Sequence, residues 1–229
     1  MSYIPTILTA AAIFFLFLPI VTFCFLLYVA KHAPLKVQTL RIGGEEDLSD
    51  TFRRLAEPIG KRLESSGWIR GSVILGTPIQ DREGSTEGVF YRKPGESIQA
   101  YLGWARGGFP APAVRFVTPF RGGVTLSTTS GHPLHELCGH GPLGMQRIAS
   151  REPETLYEIH RARTDEARSK GLVAEELSPE DMCERMRIDQ IRNANGMISR
   201  GHVRSGKDES FHLGWWFSVR HAFRMVARR

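Results

Sequence analysis

The sequence predicts an α+β protein: a single N-terminal transmembrane helix, then a small antiparallel β-sheet domain with flanking helices and a C-terminal helical region. Three observations predict it. The first 30 residues carry no charged side chain. Five short runs rich in β-branched and aromatic residues lie between Ser72 and Ser130. Apolar residues at helical spacing stand on both sides of them.

From Ile4 to Ala30 the chain reads IPTILTAAAIFFLFLPIVTFCFLLYVA. At the rise of an α-helix this run reaches roughly 40 Å, and a bilayer core needs about 20 residues. A cleaved secretory signal would be shorter and would begin with basic charge. Residues 1–31 are therefore expected to be a retained anchor, with membrane lipid as a partner. Phe14, Phe15, Phe17, Phe23 and Phe25 would pack against lipid or neighbouring helices. Pro19 removes a backbone donor in mid-span and predicts a kink. Lys31, Lys36 and Arg41 follow the run, so the amino terminus is expected outside and the rest inside, at the inner (plasma) membrane.

All 30 Lys and Arg and all 24 Asp and Glu lie beyond that run, giving +6. Such a surplus fits a domain held against an anionic leaflet. No nucleic-acid motif accompanies it, and no nucleic acid is expected as a partner. Cys24, Cys138 and Cys183 are too few and too odd in number for a disulfide framework.

Residues 32–46, with Pro34 and Gly43-Gly44, read as a juxtamembrane linker. Residues 47–130 read as a helix followed by the sheet. Leu48, Phe52, Leu55, Ile59 and Leu63 fall at helical spacing, with Asp47 or Ser49 as cap, Gly67 as stop and Pro58 as a kink or break. The runs SVILGTPIQ, EGVFYRK, SIQAYLGWA, AVRFVTPF and VTLSTTS then give four or five antiparallel strands. Arg121-Gly122-Gly123 is the hairpin loop joining the last two, and Pro119 places its strand at an edge or bulge. Residues 151–229 read as helical. One helix spans about 153–170, and another starts at Ser178-Pro179-Glu180-Asp181 and ends near Asn195-Gly196. A short hairpin turns at Ser205-Gly206. The final stretch, GWWFSVRHAFRMVARR, is a basic amphipathic helix. Trp215, Trp216, Arg220, Arg224 and Arg228 are its candidates for a membrane interface, and its apolar stripe would equally pack on the sheet.

Residues 131–150 form a His-rich loop beginning GHPLHELCGHG. His132, His135, Cys138 and His140 offer imidazole and thiolate, the ligands that zinc prefers, so zinc is the cofactor the pattern would take. The spacing departs from ordinary sites, which draw ligands from two separated segments. His160, Cys183, His202 or His212 would have to complete it. The zinc-protease motif H-E-x-x-H fails at Gly139. Cys138 beside a histidine would be a nucleophile only with a lowered pKa and a third partner, and none is identifiable. A polar surface connection without chemistry is the favoured reading of the loop.

Function is expected to be non-catalytic: a single-pass accessory or scaffolding subunit that docks a cytoplasmic domain on a larger integral membrane protein complex. The alternative is a zinc-binding sensor or metal-dependent enzyme built on the His-rich loop.

Overall fold

In a computed structural model of the chain, the described residues are 35–36, 39–77, 86–105, 111–130, 145–148, 152–201, 203–206 and 210–214, with Ile20, Val21, Cys24, Tyr28, Ser150 and Val219. The chain divides into two compact units. Unit 1 comprises residues Met1–Leu35 and Ile198–Arg229, and unit 2 comprises Lys36–Met197.

Unit 2 is α+β. Strand β1 is Leu35–Lys36, at its border, and β2 is Leu40–Gly43. Helix α1 (Asp50–Ser65) follows, then β3 (Ile69–Gly76), β4 (Thr86–Arg92), β5 (Gln99–Ala105), β6 (Ala113–Phe120) and β7 (Val124–Thr129). Strand β8 (Met145–Arg147), α2 (Pro153–Ser169) and α3 (Pro179–Ser199), of which Ile198 and Ser199 are counted in unit 1, complete it. Strands β2 to β7 are neighbours in sequence order and antiparallel throughout, and β8 adds at the β7 edge in parallel. The five β-rich runs of the sequence are β3 to β7. Strand β2 is a sixth, in the stretch read as a linker; four residues are too short for periodicity to reveal.

Alternation along the strands makes two apolar faces. Val89, Tyr91, Ala100, Leu102, Val114 and Phe116 point to one face. They pack there with Phe52, Ala56 and Leu63 of α1 and Leu156 and Tyr157 of α2. Phe90, Tyr101 and Val117 point to the other and meet Met182, Cys183 and Met186 of α3. The sheet is thus covered on both sides, which explains why nearly every residue of β4 and β6 is buried. Each large apolar side chain so buried contributes roughly 1.5–3 kcal/mol.

Helix α1 starts where Ser49 accepts a hydrogen bond from Phe52 N at 3.1 Å, and Gly67, with φ of 86°, follows its end. Pro58 does not divide it: the helix runs unbroken through that position. Pro58 and Arg54, whose carbonyl loses its partner, are both exposed, so water can serve that carbonyl. Strand β6 is central, not an edge. It outlasts its last β5 pair, Gln99↔Val117, and Pro119 lies in the overhang. There the α2–α3 connector pairs with it, Glu175 N donating to the Pro119 carbonyl and Arg121 N to the Val173 carbonyl. Gly122 and Gly123 both have positive φ in the β6–β7 loop, as its tight reversal demands. Helix α3 begins after Ser178, whose hydroxyl accepts from Asp181 N, and continues past Gly196 to Ser199.

In a separate three-stranded sheet, β9 (Val203–Ser205) and β10 (Ser210–Leu213) pair antiparallel, in the order β1-β10-β9, and Ser205, expected in a turn, is the last residue of β9 and pairs with Phe211.

The transmembrane part of the expected fold class is corrected. No described helix is long and apolar enough to cross a membrane. Helix α3 has the length, at 21 residues, but carries Glu180, Asp181, Glu184, Arg185, Arg187, Asp189 and Arg192, and such charges exclude it from hydrocarbon. The expected span residues Phe14, Phe15, Phe17, Pro19, Phe23 and Phe25 lie outside the described residues. Within that stretch Ile20, Val21, Cys24 and Tyr28 are helical and exposed. The single-pass, inner-membrane placement rested on that helix and is withdrawn with it.

Candidate functional site

The most developed polar constellation lies between α2 and strands β6 and β7. His160 projects from α2 toward the sheet and is fully buried. Its Nε2 is 2.9 Å from Thr118 Oγ1 and its Nδ1 is 2.9 Å from Thr128 Oγ1. Proton counting fixes the directions. Thr164 gives its one hydroxyl proton to the His160 carbonyl at 3.0 Å. In the 3.2 Å contact between Thr118 and Thr164, Thr118 must therefore donate. Its proton being used, Thr118 accepts from the ring, so Nε2 carries the hydrogen. A neutral ring then accepts at Nδ1, from Thr128. Thr128 in turn accepts from Arg163 at 2.8 Å, and Arg163 also donates to the Ser127 carbonyl. The chain of donors has no gap. Burial, with the Arg163 guanidinium adding to it, pushes the imidazole down to about 3, so the ring is neutral at physiological pH.

Three further charged side chains, Glu87, Lys93 and Glu96, are spent on holding helices. Glu87, buried on β4, accepts from Ser49 N at 2.9 Å and Ser49 Oγ at 2.7 Å, placing a carboxylate at the α1 N-terminus, where the helix dipole favours it. Lys93 and Glu96 close the Pro94-Gly95 turn and meet α2 at Tyr157. The Tyr157 hydroxyl donates to Glu96 at 2.7 Å, and Lys93 Nζ stands 4.6 Å from the Tyr157 ring centroid. Burial and the Glu96 carboxylate raise the Tyr157 phenol, which keeps its proton for Glu96 while its oxygen accepts from Lys93 Nζ at 3.5 Å.

On the opposite face, α3 is clamped to the β6–β7 end. Arg185 donates to Glu175 at 2.8 Å and Arg192 to the Gly123 carbonyl at 2.6 Å. Asp189 sits among Arg192, Arg185 and Arg115. Burial raises its carboxyl, opposed by the nearby Thr125 hydroxyl and those guanidiniums. Cys183 is buried there, its thiol pushed up to about 11 first by burial and then by Glu180, so it is a poor nucleophile. Tyr101 lies flat over the Gly88–Gly103 pair. Its hydroxyl is buried without a hydrogen-bond partner among the described residues, and burial raises its pKa.

The residues singled out from sequence fall elsewhere. His132, His135, Cys138 and His140 lie outside the described residues, as do Trp215, Trp216, Arg220, Arg224 and Arg228. The metal reading is corrected: among the described residues no group of three His, Cys, Asp or Glu side chains is placed to hold a metal ion. Two of the four residues considered as distant ligands are unsuited to it. His160 has both nitrogens occupied by threonines, and Cys183 is buried under α3. The sequence signal for the His160 seam was its place on the apolar face of α2 with Leu156 and Ile159. Its partners Thr118 and Thr128 come from separate strands and leave no local pattern.

Compared with known proteins, the chain matches no family model, no curated protein and no solved structure.

Proposed function

We infer that the chain is a non-catalytic docking protein, in which unit 2 is a rigid scaffold and the task is to bind a partner protein. The observation that carries this reading is where the chemically able groups among the described residues of unit 2 are spent. The His160 ring, the Glu87 carboxylate and the Tyr157 phenol hold α1 and α2 to the sheet. The Arg185 and Arg192 guanidiniums hold α3. Each satisfies a buried or half-buried partner, which specifies one arrangement of the layers. A scaffold of this kind supplies a fixed platform and asks its own reactive groups for nothing else.

Native mass spectrometry of the full chain, purified gently from its source, tests this. The expected result is a complex of fixed stoichiometry with a second protein, reconstituted when the two are purified apart and mixed. A chain recovered only alone, with no second protein restoring a complex, overturns the reading.

A further inference from the structure

The charge of this protein is divided unequally between its units. Unit 1 holds Lys31, Arg200, Arg204, Lys207 and the four arginines from Arg220 onward, against only Asp208 and Glu209. The whole surplus of +6 therefore belongs to unit 1. The remaining basic and acidic side chains, 22 of each, leave unit 2 neutral. The balance of unit 2 has a structural reason. Its helices are laced with pairs such as Lys61–Glu57, Arg62–Glu154, Lys170–Glu166 and Arg187–Glu184. Unit 1 has too few acids to neutralise itself, and self-repulsion of this kind is relieved by an anionic partner.

We propose that unit 1 is the docking surface and that its occupant is an acidic, extended segment of a partner protein, laid along strand β9, which carries Arg204 and follows Arg200. The proposal rests on the docking reading above. The charge selects an anion, and the strand selects a polypeptide. Strand β9 is the terminal strand of the β1-β10-β9 sheet among the described residues. Arg204 and Ser205 on it, and Arg200 just before it, are exposed. A terminal strand offers backbone donors and acceptors to an added strand, and flanking arginines choose its side chains. Neither a lipid headgroup nor a nucleic acid can complete a backbone ladder.

The test uses the full chain and a fluorescent synthetic peptide alternating glutamate and valine, followed by anisotropy. The comparison probes are the same peptide with lysine for glutamate, phosphatidylcholine–phosphatidylserine vesicles, and single-stranded DNA. Binding of the acidic peptide is expected, weakened about tenfold or more by the Arg200→Glu/Arg204→Glu variant and by raised salt. Arg200→Lys/Arg204→Lys is expected to retain most of it. Prolines at alternate peptide positions remove amide donors and abolish it. Both arginines are exposed, so the variants fold, and circular dichroism verifies that. The proposal is overturned if the vesicles or DNA bind and the acidic peptide does not, or if the charge-reversed protein binds as wild type does. A stoichiometric protein partner that ignores both arginines leaves the docking reading standing and removes this one.

Discussion

Protonating His160 should unfasten α2 from the sheet, and the cost follows from the geometry. The ring is neutral, accepts at Nδ1 from Thr128, and stands beside Arg163 in a fully buried site. A second proton would sit at Nδ1, displace the Thr128 hydrogen and place a buried cation next to the guanidinium. The folded value of about 3 is depressed from the ordinary 6.5. The unfolded chain therefore binds the extra proton first, and stability falls as pH drops from about 6.5 toward 3. This site alone should cost about 2 kcal/mol at pH 5, approaching about 5 kcal/mol near pH 3. Urea unfolding of wild type and His160→Gln at pH 7.5 and pH 5 isolates it. The variant should be less stable at pH 7.5 by about 1–3 kcal/mol, because buried threonine hydroxyls lose partners. Its further loss on acidification should be smaller than that of wild type by about 2 kcal/mol. Equal pH dependence in the two proteins would refute the assigned proton and the sealed ring.

Other substitutions probe the rest of the scaffold. Gly88→Ala places a Cβ 2.5 Å from the Tyr101 ring and Gly103→Ala places one closer still, and each should cost about 1–3 kcal/mol, read by thermal or urea unfolding. Ser49→Ala removes both the α1 cap and a hydroxyl donor to buried Glu87, for a loss of about 1–2 kcal/mol in the same assay. Arg62→Ala breaks the half-exposed pair between α1 and α2 and should change stability by less than about 1 kcal/mol, falling further with salt. Cys183 should resist thiol reagents in the native protein and react at the rate of unfolding, because its thiol is both buried and raised.

What was legible in the sequence was local. Ser49 and Ser178 marked helix starts because a cap is a contact within four residues. Gly67 and Gly122 marked reversals because positive φ is a property of one position. Strands β3 to β7 showed in their β-branched and aromatic runs. What stayed hidden depends on pairing across the chain. Leu40–Gly43 joins the sheet only through β3, and β8 only through β7. The covering of both faces follows from α3 returning over Phe90 and Tyr101, which no window of sequence contains. For the same reason the buried seam leaves no local pattern, whereas the cluster from His132 to His140 is conspicuous by density alone. An uncharged run at the amino terminus predicted a membrane helix by length and hydropathy, and no described helix meets those requirements.

Hydrogen exchange measured on the full chain with and without its partner would locate the contact directly. The account predicts added protection within residues 198–214 and an unchanged pattern over β2 to β7, α1 and α2. Protection gained chiefly on the sheet or on α1 and α2, with 198–214 unaffected, would contradict it.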